Sequence, residues 1–423
     1  MNFIQDPFGV VAQWFIELLR SWGWADWLVQ VLSFAIGAVI LAAGAMFFCL
    51  VLIWAERKIG GRIQDRIGPN RVGPFGLIQP VADMLKIFTK EHITPKGVDK
   101  VPYNLSPILA VGAVLMIWGV IPYTITMYGT NLSVGILYIV AVGGLGELGI
   151  IMGGWGSNNK FSLLGAFRAV AMLISYEIPL VISLLIPVMF SSSMGVADIV
   201  TKQGEMWNIV LAPVAALLFF IASIAENGRA PFDLIEADSE IVAGFNTEYS
   251  GLKFGMFFVG DFLHTFTIAM LFSTLFLGGW RGPGAESVPI LGFIYLIAKT
   301  TVVYLFSLLV RFTLPRFRID QMMDLNWKVL TPLALVMVML TALVDKSVQL
   351  WAGDALLVRI GALLVVNGLA FAATIWLVNR LGKRHPPRVV ITTPRPLARP
   401  PQPAADPQGA AAGQSDPLVR AEG

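Results

Sequence analysis

Cysteine, histidine and charge are all scarce in this chain. It has one cysteine, Cys49, inside the first long apolar run. That excludes an internal disulfide, a CxxC redox pair and a cysteine-ligated iron–sulfur cluster. Its three histidines, His92, His264 and His385, are too far apart in sequence to suggest a bis-histidine haem. Charged residues make up 13% of the 423 positions, against roughly 25% in soluble domains. A soluble globular fold is therefore excluded, and any redox centre serving this chain is expected on another one.

What it has instead is apolar runs: 56% of residues are hydrophobic, in stretches of the ~20 residues that cross a bilayer as a helix. They are too long for barrel strands, so the expected class is an all-α polytopic membrane protein. We expect about nine spans, near residues 27–55, 104–127, 134–155, 162–190, 206–225, 253–278, 289–310, 327–344 and 355–380. Residues 1–26 carry Val10, Val11, Trp14, Phe15, Leu18 and Leu19 at helical spacing. They read as an interfacial segment; a basic region and small-residue cleavage site of a signal peptide are missing. Residues 27–345 form the expected eight-helix core, with loops 57–101 and 226–252. Residues 346–384 hold a further membrane helix, and the Pro-, Ala- and Arg-rich tail 385–423 is expected to be disordered.

Charge sets an orientation. With alternate connections assigned to opposite sides, one side keeps only Arg20, Lys202, Arg281 and Lys346, with Arg359 near its edge, while Lys299 falls within a span. All the rest of the 30 Lys and Arg lie on the other side. The positive-inside rule makes that side cytoplasmic, with the N-terminus outside and the tail inside.

The cytoplasmic loop Arg57–Glu91 is dense in Arg, Gly and Pro. Pro69, Pro74 and five glycines from Gly60 to Gly76 are expected to keep its first part irregular. From Leu77 to Phe88 the spacing predicts an in-plane amphipathic helix. Leu77, Ile78, Val81, Met84, Leu85 and Phe88 form its apolar face, with Gln79, Asp83, Lys86 and Lys90 opposite. Headgroup binding would explain the arginines alone. It does not explain the interleaved Asp65, Asp83 and Glu91, or a backbone so constrained in shape.

A second cytoplasmic loop is acidic, with Glu226, Asp233, Glu236, Asp238, Glu240 and Glu248 against Arg229 alone. Apolar residues between them imply partial burial, and carboxylates so placed are suited to sharing protons near neutral pH. Further ionisable residues stand within spans: Glu147, Glu177, Asp261, His264 and Lys299, with Arg311 at a span end. Each could be one half of a static interhelical bridge. As a set they point to a polar interior and a proton path. Glycines crowd the second half of span three, which fits close helix packing or a hinge.

Two stretches carry a resemblance. GLIQPVADMLKIFTKE (Gly76–Glu91), with AERKIGGRIQDRIGPNRVGPFG before it, and PFDLIEADSEIVAGFNTEYSG (Pro231–Gly251) resemble the two signatures of the quinone-cavity membrane subunit of respiratory complex I, NADH:quinone oxidoreductase. The likeness covers about Ala25 to Val344. Asp238 replaces the family's usual Glu, and Ile235 a small residue. The resemblance implies a subunit of the bacterial cytoplasmic membrane that forms the access cavity for a quinone substrate. Arg57, Arg62, Arg66, Arg71, Asp83, Lys86 and Phe232 are its candidate cavity residues, and the acidic loop lies beside the cavity. Glu147 and Glu177 match positions on a path toward antiporter-like subunits. No cofactor is expected on this chain. Flavin and iron–sulfur clusters are implied on peripheral partner subunits, which also supply the quinone-head ligands. Membrane lipid is a further expected partner and nucleic acid is not. Two other classes share some features: the equivalent subunit of a membrane-bound hydrogenase, and a stand-alone ion-coupled transporter. The transporter would be expected to show two related halves, and the loop Arg57–Glu91 has no counterpart in the second half.

Overall fold

The first apolar run folds as one 38-residue helix, Asp26–Ile63 (α2). At 1.5 Å per residue this is about 57 Å, well beyond a ~30 Å hydrocarbon core, so one end projects from it. The computed structural model describes residues 7–234, 242–352 and 355–382. Glu236, Asp238, Glu240 and the tail from 385 onward lie outside the described residues.

A short helix Pro7–Ser21 (α1) precedes α2 and is tied to it by Arg20 and Asp26 at 3.3 Å. The projecting end of α2 corrects one expectation. Residues 57–63 are helical despite Gly60 and Gly61, and the irregular path begins only at Gln64. The two glycines serve close approach. A Cβ at Gly60 would meet the Phe312 ring at 2.6 Å, and one at Gly61 the backbone of Gly68 at 2.9 Å. A turn at Pro74–Gly76 then leads into Gln79–Thr89 (α3), the amphipathic helix, slightly later than the spacing predicts.

Lys100–Trp118 (α4), Gly135–Gly156 (α5) and Lys160–Ser191 (α6) follow. The glycine-rich half of α5 is unbroken helix, and its glycines let α4 in. A Cβ at Gly149 would lie 3.1 Å from the Ser106 carbonyl oxygen, and one at Gly156 2.8 Å from the Tyr103 nitrogen. Ser106 Oγ donates to Gly149 O at 2.7 Å across the contact. Close packing is therefore what the glycines from Gly149 onward provide, whereas Gly143 and Gly144 have open space beside them.

Span five differs from its expected form. After Val196–Lys202 (α7), it is split into Asn208–Leu211 (α8) and Pro213–Glu226 (α9). The break is at Ala212, with φ −137° and ψ 67°. At 14 residues, α9 is about 21 Å long and does not span on its own. Backbone groups freed at such a break need partners in the protein. Asn367 supplies them, its Oδ1 accepting from Val214 N and its Nδ2 donating to Leu211 O, both at 3.4 Å.

Gly251–Phe276 (α10) and Pro289–Thr313 (α11) are followed by a continuous rod. It comprises Ile319–Leu325 (α12), a π-helical turn Asn326–Leu330 and Thr331–Ala352 (α13). The expected division after residue 345 falls inside α13. The last described helix, Leu356–Gly382 (α14), bears Asn367. Among the described residues eight helices are long and apolar enough to cross a membrane, with α9 as a shorter apolar ninth. The chain divides into two compact units, 1–376 and 377–423. The core lies in the first, where α4, α5, α6, α9, α10, α11 and α13 bury Tyr176, Phe219, Phe266, Phe276, Leu308 and Met337. The second is described only as the helix ending at Gly382.

Candidate functional site

Cys49, Leu52, Glu56 and Gly60 recur at helical spacing on α2, and all are buried. Glu56 is thereby carried inward by the stripe that packs the helix. Arg229 comes to meet it from the turn after α9, where Gly228 adopts φ 60° and reverses the chain. The Arg229 side chain is 6% exposed. Its Nη1 donates to Glu56 Oε2 at 2.8 Å and its Nη2 to Asp261 Oδ2, on α10, at 2.7 Å. Arg311, from the end of α11, binds the other Glu56 oxygen, and the Phe262 ring lies 4.9 Å from the Arg229 guanidinium carbon. Burial opposes the charge on Arg229. The Asp261 and Glu56 carboxylates outweigh it and hold the guanidinium protonated, above its ordinary range. Two carboxylates and two guanidiniums thus form a locally neutral network, the arrangement in which buried charge is tolerated.

This network lines a cavity of about 250 Å³. Phe245, Phe257, Phe258, Val114 and Ile117 give it apolar walls; Glu147, Glu226, Asp233, Asn246 and His264 give it polar ones. A smaller cavity of about 40 Å³ continues into the bundle and adds Glu177. Ile117, Gly143, Glu226 and His264 line both. Glu56, Asp261, Glu226, His264, Glu147 and Glu177 therefore follow one internal path. Among the described residues no cation pairs with Glu147, Glu177 or Glu226, so the lining runs from a charge-neutral network to carboxyls without a described cation partner.

Other expected site residues lie elsewhere. Asp233 reaches the cavity but pairs with Arg316 at 2.7 Å. Glu248 accepts from Asn159 Nδ2 at 2.7 Å and stays off the cavity wall. Lys299 donates to the carbonyls of Leu277, Gly279 and Arg281, at 2.8, 3.0 and 2.7 Å, and so closes the end of α10. It is a structural anchor with none of the path's carboxyls for a partner. Phe232 is packed in the core, 5.5 Å from the rings of both Tyr176 and Phe317. Arg62, in the last turn of α2, and Arg66 and Arg71, on the loop after it, are exposed, and Arg66 Nε binds Gln64 at 2.7 Å. None of these loop residues lines the 250 Å³ cavity.

Asp83 joins α3 to α2. It accepts from Arg57, and Lys86 stands 3.6 Å away. Burial opposes ionisation of Asp83, but the Arg57 bond prevails and holds the carboxyl below its ordinary range. A lowered value means that the tie is complete above the ordinary carboxylate range and is lost as pH falls through the lower folded value. Asp83→Asn should therefore loosen α3 at neutral pH, by under ~1 kcal/mol given the exposure of Arg57. Faster hydrogen exchange of the α3 amides would register it; unchanged exchange would show that the pair does not hold the helix. The apolar face of α3 remains open, with Val81, Met84, Leu85 and Phe88 all exposed.

Sequence reasoning misses Glu56 and Tyr249. The one signal for Glu56 is its place in the 49, 52, 56, 60 stripe. Tyr249 Oη donates to Tyr103 O at 3.0 Å, the carbonyl that Pro107 leaves without a helical donor four residues on. Burial pushes the Tyr249 phenol up to about 12, so it remains a donor.

The chain matches the NADH dehydrogenase family model over residues 36–342. A Geobacillus kaustophilus protein is 46% identical over 336 residues, covering 79% of this chain and 98% of its own length. One from Dehalococcoides mccartyi is 46% identical over 304 residues, 72% and 84% of the two chains, and one from Brevibacillus brevis 43% over 331 residues, 78% and 96%. All three are named as the same subunit of NADH-quinone oxidoreductase.

Proposed function

The chain belongs to the NADH dehydrogenase family, and from that membership we propose that it is a membrane subunit of a proton-translocating NADH-quinone oxidoreductase that couples quinone reduction to proton movement. The observation that carries the coupling role is the continuous lining of the two cavities, in which a charge-neutral ion network at one end leads to carboxyls that have no cation partner among the described residues. Quinone is the substrate; electrons reach it from flavin and iron–sulfur groups on partner subunits. The exposed apolar face of α3 suits the isoprenoid tail, and Arg62, Arg66 and Arg71 suit docking of the peripheral arm. The asymmetry of basic residues supports placing this loop in the cytoplasm.

Coupling would proceed through this chain's own groups. A change of charge at the cavity alters the balance among Glu56, Arg229, Asp261 and Arg311. In a low-dielectric site such a change acts at full strength on nearby titratable groups. Glu226, His264 and Glu147 share the cavity with the network, so a proton taken up or released there can pass toward Glu177, and from there to antiporter-like membrane subunits. Photolabelling the intact complex with an azidoquinone tests the cavity assignment. Labelled peptides are expected from residues 56–91 and 226–262. Labels confined to other subunits would overturn the cavity, and purification as a lone protein without flavin or iron–sulfur absorbance would overturn the subunit assignment.

A further inference from the structure

Glu177 stands two residues before Pro179 in the interior of α6. Proline has no N–H, so the carbonyl four residues earlier, that of Ser175, loses its helical donor. Ser175 is buried at 5% exposure, where an unpaired carbonyl is costly. The missing donor comes from another helix. Asn326 Nδ2 donates to Ser175 O at 2.6 Å, and Asn326 is fully buried.

The backbone around Asn326 is shaped for this contact. It opens the one π-helical turn among the described residues, Asn326–Leu330, in which Thr331 N bonds Asn326 O five residues back. Such a turn inserts a residue and redirects the side chains beside it. Thr331 Oγ1 donates to Asn326 Oδ1 at 3.4 Å, which leaves the amide nitrogen for α6. One residue nearer Glu177, Tyr176 Oη donates to Met322 O at 2.8 Å. The same segment thus grips α6 at two adjacent positions, immediately before Glu177. The Tyr249 bond to the carbonyl freed by Pro107 is a second instance of the device.

We propose that Asn326 is a positioning residue for proton transfer: by completing the proline bend of α6 at Ser175, it fixes the direction in which Glu177 faces the smaller cavity. This rests on the assignment of Glu177 to the proton path.

The test uses the whole complex in sealed vesicles, with the rate of quinone-dependent proton translocation measured across pH. Asn326→Leu should lower that rate about threefold to tenfold and displace its pH profile, which a loss of packing alone would not do. Adding Pro179→Ala returns an N–H to Ser175 O within α6, so the double variant should recover most of the rate and the original profile. Glu177→Gln is the reference. Normal translocation in E177Q would overturn the proton-path assignment and this role with it. Normal translocation in N326L beside an impaired E177Q, or no recovery in the double variant, would overturn the role of Asn326 alone. If N326L does not assemble, an assembled and translocating double variant supports the proposal, and failure of both overturns it.

Discussion

Replacing Arg229 by Met should lower the amount and the melting temperature of the assembled complex. Arg229 is the only described cation on Asp261 and one of two on Glu56. Its loss leaves Asp261 facing the cavity without a partner and Glu56 held by Arg311 alone. Removing one partner of a fully buried ion pair costs about 3–5 kcal/mol; with Asp261 44% exposed and Glu56 still on Arg311, the loss should be smaller, about 1–3 kcal/mol, which is still a sizeable part of the stability of a typical domain. Lysine should not substitute. The two Nη atoms of the guanidinium reach two different carboxylates at 2.8 and 2.7 Å, and a single ammonium cannot reproduce that fork. Pairing Arg229→Met with Asp261→Asn should restore part of the assembly, because it removes the stranded charge. Native electrophoresis of solubilised membranes and the melting temperature of the purified complex measure the effect. An R229M complex of normal abundance and melting temperature would show that the network does not support the fold.

This network is only half legible in the sequence. Asp261 and Arg311 stand out as charges in or beside apolar runs. Arg229 stands out as the lone base of an acidic loop. Glu56 does not, because it adjoins the run of basic residues beginning at Arg57, and Gly60 and Gly61 suggest that the helix has already ended. Glycine is permissive of other conformations but does not impose them, and here Phe312 and Gly68 lie too close for a side chain at either position. The membrane helices are legible because a bilayer leaves the backbone so few choices. The break in span five is not. Ala212–Pro213 is compatible with a helix start or a kink, and the choice depends on Asn367, more than 150 positions away along the chain. Lys299 shows the same limit from the other side. Its burial is visible in the sequence, but its three carbonyl partners are set by how α10 ends and by nothing within its own span. Spacing can say that a residue faces inward; only packing says what it meets there.

Glu226 is the one carboxyl among the described residues that lines both cavities, and on the proposed path Glu226→Gln is the substitution that should most directly stop proton movement. Glutamine keeps the shape of the side chain and its capacity to hydrogen-bond, but it cannot exchange a proton. A positioned proton-transferring side chain contributes roughly 100-fold or more, so the rate of quinone-coupled proton translocation should fall at least about tenfold even if water or His264 carries part of the traffic. Glu226→Asp, which retains the carboxyl on a shorter stem, should lose much less. Asp233→Asn should also lose less, because Asp233 is already committed to Arg316 at 2.7 Å. Measuring quinone reduction beside translocation separates two forms of coupling. If both rates fall together in E226Q, the proton step is obligatory for turnover; if reduction persists while translocation falls, the complex slips. Unaltered translocation, with the complex present in normal amount, would take Glu226 off the path. The link between the ion network and Glu177 would then have to run through His264, the other titratable residue that lines both cavities.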